Sequence, residues 1–320
     1  MSQERSLADP YAPTDGPVAV IGAGVIGASW GAFLAAHGRV VRLHDLDPER
    51  LARGLAQARD QARFLTDHDL ADPAQAETGL ASLAGHGTLA EAVRDAAVVL
   101  ECVAERYDVK DAVFSAADAH APRHALLVTC TSGLSISRIQ QAARYPDRCL
   151  AGHPYNPPHL IPLVEIAPGN QTAPEALTAA HAFFLSVGKA PVVLHREVPG
   201  YLANRMSAAL WREAINLVLD GVATVDDVDR AIRLGPGLRW AVMGPHMLYH
   251  LGGGPGGIRH HVEHLRQAKE ETWRDLAAWH VMPPGSADAL EAGLPPLDQL
   301  AALADQRDQA LLRVLRALEP

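Results

Sequence analysis

Lysine is nearly absent from this chain: Lys110, Lys189 and Lys269 are its only representatives among 320 residues. Lysine and arginine together number 28 against 37 acidic residues, a formal charge of -9, and no basic run compensates locally. A phosphate polymer or an anionic membrane surface is held by a dense positive field. Nucleic acid and membrane are therefore excluded as partners. Apolar runs fall short of the roughly 18 residues that a spanning helix needs. Residues 1–16 have neither the basic start nor the apolar stretch of a secretory signal. They read as a flexible tail, and the protein as cytoplasmic.

Cysteine is scarce as well. Cys102, Cys130 and Cys149 are odd in number, lack CxxC spacing and sit in apolar, strand-like runs. They read as buried thiols in a reducing compartment, and no metal centre is expected. What the chain does have is 48% apolar and 20% charged residues, an ordinary globular composition. Its length exceeds one usual domain, so two cores are expected.

Short β-branched or apolar runs at 18–21, 40–43, 97–102, 126–130, 148–152, 163–166 and 191–194 predict strands. Helical patterns occupy 25–36 and 48–65, whereas 67–87 is irregular, broken at Asp72-Pro73 and Gly85-His86-Gly87. This alternation predicts a Rossmann-type, doubly wound, mainly parallel α/β sheet over residues 17–196. Past Pro199-Gly200 the strand runs stop. Helices are predicted at 201–220, 225–233, 258–279 and 297–318, with the glycine run 252–257 as a loop. An all-α C-terminal domain over 197–320 follows.

Gly22-Ala23-Gly24-Val25-Ile26-Gly27 is a GxGxxG pattern between a predicted strand and helix. Gly22 permits the tight turn, Gly24 lets the backbone approach a pyrophosphate, and Gly27 lets the helix pack on the sheet. The helix start, with the N–H groups of Val25 and Ile26, faces the phosphates. Asp45, at the end of the next strand, would accept bonds from the adenosine ribose hydroxyls and repel a 2′-phosphate. NAD is thus the expected cofactor. Arg42 points to the opposite face by strand alternation.

A second cluster, Gly152-His153-Pro154-Tyr155-Asn156-Pro157-Pro158, is predicted just beyond a strand and is followed by Leu163-Val164-Glu165-Ile166. Histidine titrates near neutrality as a residue type and suits proton transfer, and a buried carboxylate can hold its second ring nitrogen. Spacing alone fits equally a histidine that caps a proline-rich turn.

Together with Glu101-Cys102-Val103-Ala104-Glu105, Thr131-Ser132 and Gly200-Tyr201-Leu202-Ala203-Asn204-Arg205, these motifs resemble the 3-hydroxyacyl-CoA dehydrogenase family over roughly residues 17–280. The resemblance is to its short branch, which includes L-carnitine dehydrogenase and L-gulonate 3-dehydrogenase (lambda-crystallin). It implies that His153 is the catalytic acid/base, that Glu165 pairs with it, that Ser132 and Asn204 bind the substrate oxygen, and that Asn156 shapes the site. It also implies that Glu105 and Lys110 contact the nicotinamide end of NAD, and that the C-terminal helices pair into a homodimer. On the residues alone, Ser132 also suits a turn and Asn204 a helix start.

The expected reaction interconverts a 3-hydroxy acid and its 3-keto form. Residues 48–86 carry Arg50, Arg53, Arg59 and Arg63 but no lysine, so a small substrate without coenzyme A is preferred, carnitine-like or a sugar acid. Trp211, Trp240, Tyr155 and Tyr201 suit a quaternary ammonium or a flat aromatic substrate, and Arg212 or Arg239 a carboxylate. The alternatives are a ketoreductase acting on an aromatic polyketide β-keto intermediate, a 3-hydroxyacyl-CoA dehydrogenase, and a non-catalytic crystallin-like protein.

Overall fold

A strand that is apolar at every position must be covered on both faces, and β1 (Val18–Ile21) is buried along its whole length in the middle of the sheet. The computed structural model describes residue 11 and residues 16–318. The chain parts into two compact units between Arg205 and Met206.

In the first unit β1 is followed by α1 (Val25–Ala36), β2 (Val41–His44), α2 (Pro48–Asp67), α3 (Pro73–Ser82), β3 (Ala84–His86), α4 (Leu89–Val93) and β4 (Val98–Glu101). Then come α5 (Tyr107–His120), β5 (Leu126–Thr129), α6 (Ile136–Ile139), β6 (Cys149–Pro154), β7 (Leu163–Pro168), α7 (Pro174–Ser186) and β8 (Ala190–Val193). Among the described residues the strands form one sheet in the order β3-β2-β1-β4-β5-β6-β7-β8. All neighbours run parallel except β6 and β7. Strand order reverses direction between β1 and β4, and the crevice at the carboxyl ends of such strands is where α/β sheets bind ligands.

Two sequence expectations need correction. The irregular stretch 67–87 contains a helix and a strand. Asp72 accepts a bond from Gln75 N and Pro73 takes the first helical position, so the supposed break is a helix start. Gly79 lets α3 lie against α1, since a Cβ there would stand 1.9 Å from the Ala35 carbonyl oxygen. β3 has a poor strand composition and exists through its pairing with β2. The second correction is that β6 runs to Pro154, which puts His153 inside a strand rather than beyond it.

The tail expected over residues 1–16 lies outside the described residues except for Tyr11 and Gly16. Tyr11 is buried, and its hydroxyl donates to Asp147 at 2.6 Å. Burial, followed by that carboxylate, pushes the phenol up to about 12.

α8 (Ala203–Leu219) starts at the end of the first unit and continues into the second. The second unit adds α9 (Val225–Leu234), α10 (Pro236–Val242), α11 (Pro245–Gly252), α12 (Gly257–Asp275), α13 (Ser286–Glu291) and α14 (Leu300–Leu318). The glycine run is a tight turn, with only a short 3-10 segment, Gly254–Gly256, between α11 and α12. Among the described residues no helix is long and apolar enough to cross a membrane.

Candidate active site

The glycine turn has the shape its residues demand. Gly22 sits at φ +103°, and a Cβ there would lie 2.7 Å from the Cys102 carbonyl group. A Cβ on Gly27 would lie 1.8 Å from the Gly22 carbonyl oxygen. Gly24, by contrast, faces open space. It is the N-cap of α1 and offers no side chain, so the first-turn N–H groups, with those of Val25 and Ile26, point out of the helix start. Asp45 follows β2 directly. Its Oδ2 accepts from Ala23 N at 2.9 Å and its Oδ1 from Asp47 N at 3.0 Å, tying the end of the strand to the glycine turn. Arg50, considered from the sequence only as one of the four arginines of residues 48–86, lies 3.7 Å from the same carboxylate. Arg42 bonds with Asp95 instead. Open space at Gly24, a helix start without a side-chain cap and an acid after the second strand form the set of groups that fits a dinucleotide.

The carboxyl ends of β4 and β5 carry a charged cluster. Glu101 closes β4 and is fully buried, with bonds from Lys110 Nζ at 2.8 and 3.1 Å, Thr129 Oγ1 at 2.7 Å and Val103 N at 2.8 Å. Lys110 also reaches Glu105 at 3.3 Å. Burial opposes its charge, but the two carboxylates outweigh that and hold the ammonium above its ordinary range. Glu105 stays partly exposed and accepts from Thr131 Oγ1, Ser132 N and Gly133 N, so it sets the loop that presents Ser132. Burial pushes its carboxyl up. The bonds from Thr131 and Gly133 and the charge of Lys110 more than reverse this, leaving it below the usual carboxylate range.

His153 and Glu165 face each other across β6 and β7. Nδ1 of the buried imidazole is 3.0 Å from Glu165 Oε2, so Nε2 is the ring nitrogen that this contact does not occupy. The other oxygen, Oε1, accepts from Leu202 N at 2.8 Å and Ala203 N at 2.9 Å. Burial pushes the Glu165 carboxyl up, and the bonds from His153, Ala203 and Leu202 together hold it low. The Tyr201 ring stacks on the imidazole. A cleft of about 310 Å³ opens here, and Ile26, Ser132, His153, Tyr155, Asn156 and Asn204 all line it. Ile26 belongs to the start of α1, so the glycine turn and the His-Glu pair meet at one cleft.

The loop after β6 is pinned from below. His159 and Ser29 of α1 bond twice, and buried Lys189 donates to the carbonyl oxygens of Pro158 and Ile161. Burial alone lowers Lys189 to about 7. Neither contact was visible in the sequence, because the partners stand 130 and about 30 residues apart.

Tyr201 lies against His153 and is not among the residues that line the cleft, while Trp211 and Trp240 belong to the second unit. Cys149 is buried, whereas Cys102 and Cys130 are only half-buried and Cys130 lines the cleft, so the reading of three buried thiols is corrected. Their sulfurs are 3.5 Å apart; the bond to Cys130 and then burial push the Cys102 thiol well up.

Family models of the 3-hydroxyacyl-CoA dehydrogenase NAD-binding domain and C-terminal domain match residues 17–198 and 200–284. The chain is 39% identical to an L-carnitine dehydrogenase of Nocardiopsis dassonvillei over 94% of this chain and 91% of the relative. It is also 39% identical to an L-carnitine dehydrogenase of Streptomyces coelicolor over 94% of each. Among solved structures, a 5-formyl-3-hydroxy-2-methylpyridine 4-carboxylic acid 5-dehydrogenase, an NAD+-dependent dismutase, superposes with a TM-score of 0.84 at 28% identity, covering 94% of this chain and 98% of that one. With the two family models matched in sequence from residue 17 to residue 284, the chain belongs to the 3-hydroxyacyl-CoA dehydrogenase family and is an NAD-dependent oxidoreductase acting on CH-OH groups.

Proposed function

We propose that this dehydrogenase interconverts a small 3-hydroxy acid and its 3-keto form, without coenzyme A, and that His153 is the acid/base and Glu165 its partner. The observation that carries the reading is the division of Glu165 between His153 Nδ1 on one oxygen and two backbone amides on the other. A carboxylate held this way orients the imidazole, fixes its tautomer and stabilises the imidazolium. NAD supplies the hydride acceptor for oxidation and, reduced, the donor for the reverse.

On oxidation, His153 Nε2 takes the hydroxyl proton while Ser132 and Asn204 hold the substrate oxygen and Asn156 bounds the cleft. On reduction the same nitrogen returns the proton. Glu105 and Lys110 act at the nicotinamide end, Glu105 through the Ser132 loop and Lys110 from beneath it. Asp45, with Gly22, Gly24, Val25, Ile26 and Gly27, holds the adenosine and phosphates. In this reading residues 17–196 form the NAD-binding domain, residues 197–320 form the substrate and dimerisation domain, and the protein works in the cytoplasm.

Two observations support a free acid. The L-carnitine dehydrogenase relatives match over nearly the whole chain. The α2 arginines are also locally engaged: Arg50 with Asp45 and Asp47, Arg53 with Glu49, Arg63 with Asp60, and Arg59 with the Leu83 carbonyl. A second reading, a flat aromatic keto acid, is favoured by the likeness to a dehydrogenase whose substrate is a pyridine carboxylic acid and by Tyr155 on the cleft. Pairing of subunits is supported by the second unit, where Trp211, Leu234, Leu238, Trp240, Val242 and Trp273 are exposed.

One panel tests the substrate: NAD reduction or NADH oxidation with carnitine and dehydrocarnitine, L-gulonate, acetoacetyl-CoA and a bicyclic β-keto acid. Fastest turnover on a free acid is expected, and fastest turnover on acetoacetyl-CoA overturns the preference. His153→Gln should abolish turnover and keep NADH binding. A variant that retains more than about a tenth of the rate removes His153 from its role.

A further inference from the structure

Tyr201 is a buried side chain at the site that the reaction scheme leaves unused. Its ring lies over the His153 imidazole with centroids 5.0 Å apart and planes 24° from parallel. It is 2% exposed, and its hydroxyl has no hydrogen-bond partner among the described residues. Its φ is +49°, directly after Gly200 at +74°. A bulky residue enters the left-handed region only against a steric cost.

Tyr201 also belongs to the buried apolar cluster of the first unit, but an apolar ring is not what the backbone favours there, since glycine or asparagine adopts this φ at less cost. What the strained geometry achieves is a closure over both members of the pair. The ring covers the imidazole face, and the next two residues, Leu202 and Ala203, donate their amides to Glu165.

We propose that Tyr201 is a positioning residue for His153: its ring fixes the imidazole plane and its π face stabilises the imidazolium that forms when His153 holds the proton. The inference rests on the reading of His153 as the acid/base. The physical basis is the negative face of an aromatic ring, which attracts a cation placed over it, most strongly where water is excluded. Glu165 meets the charge at the Nδ1 edge and Tyr201 meets it at the face. The titratable groups that act on Tyr201 are Glu197 after β8, Glu105 after β4, Cys130 after β5 and Glu165 on β7. Of these, Glu165 is the one bonded to His153 among the described residues.

The test replaces Tyr201 by phenylalanine, by trifluorophenylalanine and by leucine. Fluorination weakens the π face while keeping the ring in place. Two quantities are read in the full-length protein: the midpoint of the His153 imidazole titration by NMR, and kcat/KM for oxidation against pH. Tyr201→Phe should keep the midpoint of the native protein, because the lost hydroxyl bonds nothing. The fluorinated ring and Tyr201→Leu should lower it by about 0.5 to 1 pH unit. The acid limb of kcat/KM should move to lower pH by the same amount, since the neutral, proton-accepting imidazole then persists further into acid. Should Tyr201→Leu fail to fold, the fluorinated variant decides. An equal midpoint in the phenylalanine and trifluorophenylalanine variants, with the limb still at the midpoint, overturns the proposal alone. A midpoint that moves while the limb stays removes His153 from the acid/base role and the proposal with it.

Discussion

His153 and Glu165 are register partners on the antiparallel strands β6 and β7, with Nδ1 3.0 Å from Oε2. Their separation of twelve positions along the chain therefore costs nothing in precision. Both side chains rise from paired backbone, which holds a constellation more tightly than a loop does. The same carboxylate reaches the start of α8 through Leu202 and Ala203.

Glu165→Gln keeps the shape and removes the charge. kcat should fall about 10- to 100-fold, less than the roughly 10²- to 10⁴-fold lost when the acid/base itself is removed. NADH affinity, followed by fluorescence titration, should stay within about twofold, within the error of that titration. A full rate in the glutamine variant would show that the carboxylate does not stabilise the imidazolium.

Asp45 lies beside Arg50 at 3.7 Å, and in the proposed reading this pair sets cofactor choice. Asp45→Ala should raise the KM for NAD about tenfold through loss of charge-assisted bonds to ribose. It should also release Arg50 toward a 2′-phosphate, raising the NADP to NAD ratio of kcat/KM by at least about tenfold. Adding Arg50→Ala should reverse the NADP gain. A ratio unmoved by Asp45→Ala rules out this assignment.

Gly27→Ala would bring a methyl 1.8 Å from the Gly22 carbonyl oxygen, which is backbone and has nowhere to go. A loss of about 3 kcal/mol and a Tm lower by roughly 10 °C are expected, along with loss of NAD binding. Gly87→Ala is the control, since no atom lies within 4 Å of a Cβ there. Equal melting of the two variants by calorimetry would contradict the packing argument.

Acid should weaken the fold in a defined window. Burial raises Glu165 and Glu105, but their bonds to His153, Ala203 and Leu202, and to Thr131, Lys110 and Gly133, leave both carboxyls lowered. A lowered carboxyl stabilises the fold above its unfolded value, near 4.3, and that contribution is lost as pH falls through the folded value. Tm should be flat from about pH 7 to 5 and drop below about pH 4.5, and Glu165→Gln should make the drop shallower. A slope in Glu165→Gln and Glu105→Gln identical to that of the native protein refutes the linkage.

The proposed dimer predicts twice the monomer mass of 34.1 kDa in sedimentation velocity at micromolar concentration. Changing Trp211, Leu238 and Trp240 together to polar residues should raise the fraction of monomer. A native protein that sediments as a monomer rules the dimer out.

The alternation of strands and helices, the glycine turn and Asp45 were legible in the chain because each follows local rules. A strand buried on both faces needs an apolar run, and a tight turn beside another backbone needs Gly22 and Gly27. α3 and β3 were missed because one depends on how closely helices approach at Gly79 and the other on an already formed neighbour. Their own residues carry little pattern. Lys189 and His159 likewise bond across the fold, beyond the reach of spacing.

The sequence by itself determined the fold class, the dinucleotide turn and the residue types available for chemistry, since these depend on neighbours along the chain. Only the tertiary structure decided that His153 stands within a strand opposite Glu165 and that Tyr201, expected on the cleft, instead lies against the imidazole at φ +49°. Strand register and a strained backbone are both set by contacts between distant segments. No local pattern encodes them.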